Sequence, residues 1–269
     1  MRSRFVLLPL VTLLAPILAH SGTTNRDDVL QGDAYGHRVS ADATLCPYAA
    51  LDISANGQAL NPVASNANVT ALDDGAAEVD LALPFSFYGT VWTRIAVSTN
   101  GYIAFLAEPG LEDGGDFNND AYVPSLPDNP RAAAARVLAY QDELNGEGAG
   151  ATLRSAHFAS CPRASLFGDE ACSVVQWKNW TRVGSSGALD VALILYHTSR
   201  AIVLQYTALD ASAGSSACIG IQSDGATDGL NWSCNGMRPL SAGSAVCIFD
   251  PSRLPPGSND LIFANRFES

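Results

Sequence analysis

The chain has 269 residues, 47% hydrophobic and 16% charged, with a formal charge of −12. A surface that acidic repels phosphate backbones and no basic stripe relieves it, which argues against a nucleic-acid partner. The length suits one large all-β domain or two small ones.

Arg2 and Arg4 open the chain, and 5–18 form an apolar core broken only by Pro9, Thr12 and Pro16. Small residues follow around Ala19-His20-Ser21. This is the grammar of a secretory signal over 1–21, and the apolar run is short for a span of about 20 residues. Losing Arg2 and Arg4 takes the charge from −12 to −14. The expected product is secreted or associated with the cell surface, without an integral membrane span. Residues 22–44 are polar, interrupted by glycine and without periodicity, and read as a flexible N-terminal arm.

From 45 to 250 the signals are those of strands. Leu51-Asp52-Ile53 is a candidate edge strand. Val79, Leu81 and Leu83 alternate with Glu78, Asp80 and Ala82, and Pro84 ends that strand or places it at an edge. Val91, Thr93, Ile95 and Val97 alternate with Trp92, Arg94, Ala96 and Ser98. Asn100-Gly101 follows, the dipeptide that favours a type I′ turn. A two-residue loop there sets Val97 opposite Ala104 and Ile95 opposite Leu106. Residues 107–129 form a long irregular loop, and 132–140 a short buried strand.

Segment 151–158 is expected to pair with 173–181. In the next hairpin Leu195 faces Ile202, Leu193 faces Leu204 and Val191 faces Tyr206, a continuous apolar ladder. Segments 217–222 and 230–234 flank a polar loop, and 245–249 is the last strand. Short strands with frequent turn signals, and no amphipathic helix longer than two turns, predict an all-β antiparallel sandwich of about ten strands braced by disulfides. Residues 251–269 are a linker and short C-terminal tail.

Cys46, Cys161, Cys172, Cys218, Cys234 and Cys247 are an even set in an exported chain, without CxxC zinc spacing. Cys218 and Cys234 lie symmetrically about Ala226 in the last hairpin, and Cys161 and Cys172 close a short local loop. That leaves Cys46 for Cys247, tying the first and last strands.

Chemistry is sparse. No G-x-S-x-G or H-E-x-x-H occurs, and His37, His157 and His197 read as ordinary strand or turn residues. Oxidised cysteines leave no thiolate, and the adjacent Asp142 and Glu143 point to opposite faces of a strand. No catalytic residue is assigned, and the chain reads as a non-enzyme. Glu112, Asp113, Asp116, Asn118 and Asp120 crowd one glycine-containing loop, and calcium takes six to eight oxygen ligands of this kind. Calcium is therefore the one cofactor the sequence suggests. Trp92, Trp177, Trp180 and Trp232, with Tyr102 and Tyr122, are candidates for a ligand-stacking platform.

Six segments in order carry a resemblance: LPFSFYG at 83–89, VSTNGYIAF at 97–105, VLAYQDEL at 137–144, VVQWKNW at 174–180, VALILYHTSRAIVLQY at 191–206 and CIGIQSDGATDGLNWSCN at 218–235. Together they resemble the nidogen-like (NIDO-like) β-sandwich modules of secreted bacterial proteins. The six cysteines depart from the common pattern, as does Gln141, where a bulky aromatic is more usual. The resemblance implies an extracellular β module rather than an activity. The tail LIFANRFES resembles an IF-x-x-x-FE terminal sequence of exported proteins, which suggests a sorting or surface-attachment tag. The resulting expectation is a non-catalytic extracellular binding or adhesion module whose partner is a protein or glycan. A secreted hydrolase with an unrecognised site and a structural envelope component are the competing readings.

Overall fold

The computed structural model describes residues 31–110, 123–124 and 134–255. The signal-like segment 1–21 and the tail 256–269 lie outside them. In chain order the strands are β1 (Gln31–Gly32), β2 (Arg38–Ser40), β3 (Gln58–Ala59), β4 (Val63–Ala64), β5 (Gly75–Phe87), β6 (Thr90–Ser98), β7 (Tyr102–Phe105) and β8 (Arg136–Gln141). They continue with β9 (Leu144–Asn145), β10 (Thr152–Phe158), β11 (Cys172–Arg182), β12 (Leu189–Tyr196), β13 (Ile202–Ala208), β14 (Cys218–Gln222), β15 (Gly229–Cys234) and β16 (Ser244–Phe249). Four of those beyond the expected ten (β1, β3, β4 and β9) are only two residues long, too short to leave a periodic trace.

The strands form two antiparallel sheets. One has the order β1-β2-β16-β13-β12-β11-β10-β3, with β9 also on β11; the other runs β15-β14-β8-β7-β6-β5-β4. Alternation builds the layer between them. Val175 and Trp177, Val191, Leu193 and Leu195, and Ile202, Leu204 and Tyr206 meet Ile95, Val97, Ile103, Phe105 and Val137 in one buried cluster. Each large side chain removed from water contributes roughly 1.5–3 kcal/mol. The larger sheet is also covered on its other face, where Ile194, Tyr196, Val203 and Phe249 pack with Leu51 and Ile53. Burial on both faces explains why β12 reads as a nearly continuous apolar run.

Disulfides join Cys46 to Cys247, Cys161 to Cys172 and Cys218 to Cys234, with Cα–Cα distances of 5.6, 5.3 and 4.0 Å. The first ties the covering segment to β16 across 201 positions of sequence.

The β12–β13 ladder has the expected register, Val191 on Tyr206 and Leu195 on Ile202. The β6–β7 hairpin does not. Ile95 pairs with Phe105 and Val97 with Ile103, leaving Thr99, Asn100 and Gly101 as a three-residue loop in which only Gly101 has positive φ (+77°). Asn100 is spent elsewhere: its Nδ2 donates to Asp74 and its Oδ1 accepts the Leu144 amide. Two consecutive positive φ values occur instead at Tyr88-Gly89 (48° and 78°), between β5 and β6. Tyr88 is held there by its hydroxyl, which donates to Asp33 at 2.6 Å.

One further expectation is narrowed and two change. Of the two readings of Pro84 the edge one holds: β5 does not end there but continues, unpaired by β4, through a register irregularity between Asp80 and Phe85 that leaves Leu83 exposed. Leu51 and Ile53 form no strand but cap the larger sheet, the Ile53 amide donating to Gln176. The N-terminal arm is anchored from Gln31 onward, because β2 pairs with β16 and Asp228 accepts the Ala34 and Tyr35 amides.

Candidate functional site

Among the described residues, the two sheets part along one pair of edges. β4 covers β5 only at Gly75 and Ala76, and β3 covers β10 only at Arg154 and Ser155. Beyond those short caps, a cleft of about 400 Å³ lies between residues 79–82 of β5 and residues 155–158 of β10. Val79, Leu81, Ile95 and Val175 line it with apolar surface, and Asn56, Gln58 and Asp80 bring exposed polar groups. Concave apolar surface with a few convergent polar groups is the usual form of a binding site.

Register decides which side chains enter. Ser155 pairs with Val175 and His157 with Ser173, so these residues share the inward face that holds Leu153 and Trp177 farther along. Ser173 sits beside Leu195 on β12, and His197 follows directly at that strand's end. The Ser173 hydroxyl lies 2.9 Å from His197 Nε2, and His197 Nδ1 lies 3.2 Å from the Pro84 carbonyl oxygen. A carbonyl only accepts, so Nδ1 carries the proton and the Ser173 hydroxyl donates to Nε2. Burial holds the His197 pKa below its ordinary value, and the neighbouring His157 adds to the depression. The His157 ring stands 5.6 Å away at 63°. At neutral pH the His197 ring is therefore uncharged and the pair is a neutral hydrogen-bonding unit.

A model of the NIDO-related family matches residues 50–245, and the whole cleft falls inside that range. The chain belongs to the NIDO-related family. No match is found among curated proteins or among solved structures. NIDO-related domains are an extracellular, β-rich and non-enzymatic type of module.

The tryptophans expected to form a platform are interior in this NIDO-related module. Trp177 and Trp180 are 1% exposed, and Trp92 and Trp232 are 6% exposed. Trp177 Nε1 donates to Ser98 O at 2.8 Å and Trp180 Nε1 to Thr152 O at 2.9 Å, so ring and N–H are both used in packing. Tyr102 is buried beneath the Arg136 guanidinium, 4.6 Å from the ring centre. The calcium candidates Glu112, Asp113, Asp116, Asn118 and Asp120, and Tyr122, lie outside the described residues. Asp142 is buried and structural, accepting from Arg182 Nε at 2.7 Å and from Ser216 Oγ at 2.6 Å. Among the described residues no group of three or more His, Cys, Asp and Glu is arranged to hold a metal. Among them, too, no helix is long and apolar enough to cross a membrane.

Sequence reasoning missed Ser155, Ser173 and the joint role of His157 and His197. The signal was there, as hydroxyl and imidazole side chains at inward strand positions where Leu153, Val175 and Trp177 set the apolar norm.

Proposed function

We propose that this NIDO-related chain is a secreted, non-catalytic binding module that grips an extended segment of an extracellular protein at the open end of its sandwich. The observation that carries the reading is a pair of strand edges, one from each sheet, facing a single cleft. Leu60 N donates to Leu153 O, which sets the odd-numbered backbone groups of β10 toward its outer side and leaves those of His157 past the end of β3. Ser65 N donates to Asp74 O, which sets the even-numbered groups of β5 outward at Glu78 and Asp80, past the end of β4. An extended peptide that adds to such an edge gains main-chain hydrogen bonds, and the cleft supplies room for alternate side chains. The basic start and apolar core of 1–21, together with three disulfides, support export.

The test is an array of extracellular proteins and glycans probed with the mature chain and with Ser155→Trp, which fills the cleft. Binding to a protein that falls at least tenfold in the variant, with the melting temperature nearly unchanged, is the expected result. Binding to glycans alone, or protein binding indifferent to the substitution, would overturn it. Calcium at Glu112, Asp113, Asp116, Asn118 and Asp120 belongs to the same proposal, on the strength of their oxygen ligands; a calcium titration that leaves melting and proteolysis unchanged removes it.

The Ser173–His197 pair gives one observation in favour of a hydrolase, since a neutral imidazole accepting from a serine hydroxyl is the geometry of an activated nucleophile. Here a carbonyl, not a carboxylate, orients the base. Covalent capture of Ser173 by a fluorophosphonate would decide for that reading.

A further inference from the structure

A second cavity, of about 280 Å³, lies on the other face of the larger sheet, beneath the 161–170 loop and the segment carrying Leu45 and Pro47. Its walls are apolar, with Phe167, Phe249, Val203, Ala201 and Leu45. One cation lines it. Arg163 is only 5% exposed, and its Nη2 donates to Pro47 O at 2.7 Å and its Nη1 to the Tyr196 hydroxyl at 3.1 Å. Nε is buried and has no partner, and Arg163 makes no ion pair among the described residues. Every acceptor around this guanidinium is therefore neutral. Of the two acids on the same loop, Asp169 is exposed and makes no ion pair with Arg163, and Glu170 is committed elsewhere, taking the Ser165 hydroxyl at 2.6 Å and the Thr198 and Ser199 amides.

A buried charge without a counter-ion is costly, and an anion placed beside it recovers that cost. The surroundings are rigid enough to hold such a ligand. Cys46–Cys247 ties one covering segment down, Cys161–Cys172 ties the other, and the Tyr196 hydroxyl donates back to Arg163 O at 2.7 Å. A second cation, Arg253, rests against the Phe167 ring at 5.2 Å. Two cations beside one apolar cavity, in a chain of net charge −12, set the preference for a negative ligand.

We propose that this cavity binds a small amphiphile with a single carboxylate, its apolar body among Phe167, Phe249 and Val203 and its carboxylate on Arg163. The volume lies just below that of drug-sized sites, which suits a short-chain carboxylic acid rather than a full lipid. Arg presents planar donors that match a carboxylate, which no other residue lining the cavity can do. The site is separate from the inter-sheet cleft and stands or falls independently of it.

The experiment uses the mature, oxidised chain and three probes of equal tail length: octanoate, octanol and octylammonium. Calorimetry is expected to show octanoate binding at least tenfold tighter than octanol, with octylammonium weakest and a dose-dependent rise in melting temperature for octanoate alone. The Ala201 and Val203 methyl resonances should shift with octanoate in the unsubstituted chain, so the result does not depend on a variant that folds. Arg163→Gln should bring octanoate down to the octanol level. Equal affinities for octanoate and octanol, absence of binding by all three, or shifts confined to other methyls would overturn the proposal.

Discussion

β11 runs through two regions with opposite designs. Near its C-terminal end Trp177 and Trp180 fill the inter-sheet space, and each indole N–H ends on a backbone carbonyl. The Tyr206 hydroxyl likewise ends on Ala139 O at 2.8 Å, and the Tyr140 hydroxyl on the Asp210 carboxylate at 2.8 Å. Near its N-terminal end the inward position is Ser173, flanked by His157 and His197, and volume is left empty. Ser155, although mostly buried, makes no side-chain hydrogen bond within the described residues. The same alternation thus yields a satisfied, close-packed interior at one end and unspent hydrogen-bonding capacity at the other. Stability resides in the first region, and the second is where the proposed recognition would take place.

The largest effect should come from breaking the closed end. Trp177→Ala is expected to cost about 3–5 kcal/mol in urea unfolding, through lost burial and the cavity left behind. Gly146 tests the same packing from outside. A Cβ there would fall 2.4 Å from the Trp180 ring, so Gly146→Ala should cost about 1–3 kcal/mol by displacing the indole.

The open end should respond to pH. Burial depresses the His197 pKa in the folded chain, so the unfolded chain takes up a proton first as pH falls below about 6.5. Stability from this residue is present above that pH and lost below it, at one proton's worth of slope, at most about 1.4 kcal/mol per pH unit. His197→Gln keeps a donor for Pro84 and an acceptor for Ser173 while removing the titration. Unfolding curves of the two proteins between pH 5 and 7 should therefore diverge below about 6.5, and parallel curves would refute the assignment. Smallest of all should be Ser155→Ala, within about 0.5 kcal/mol of the original, as expected for a hydroxyl that supports no internal contact. A larger loss would mean that the Ser155 hydroxyl contributes to the packing of the sandwich after all.

Much of the fold was legible because it rests on local rules. Alternation located the long strands, and the apolar ladder from Val191 to Tyr206 and Leu195 to Ile202 set the β12–β13 register directly. The last hairpin placed Cys218 opposite Cys234, where the chain joins them. The Asn100-Gly101 hairpin misled by one residue because a turn dipeptide states a preference worth little against tertiary contacts. Asn100 bonds to Asp74 and Leu144, and a Cβ on Gly101 would meet the Tyr140 carbonyl oxygen at 2.1 Å.

The candidate site was less legible. Exposed-looking tryptophans drew attention by their chemistry, yet alternation assigns a residue to one of two faces without saying which face is covered. In this chain both faces of the larger sheet are covered, by the opposite sheet and by the Cys46–Ile53 side of the chain. The strand-rich class, the pairing of near neighbours and the three disulfides are therefore readable from the chain alone. Only the tertiary structure decided which faces are buried, which edges stay open, and that Ser155, His157, Ser173 and His197 converge. Those depend on contacts between residues scores of positions apart, to which a two-residue period carries no information.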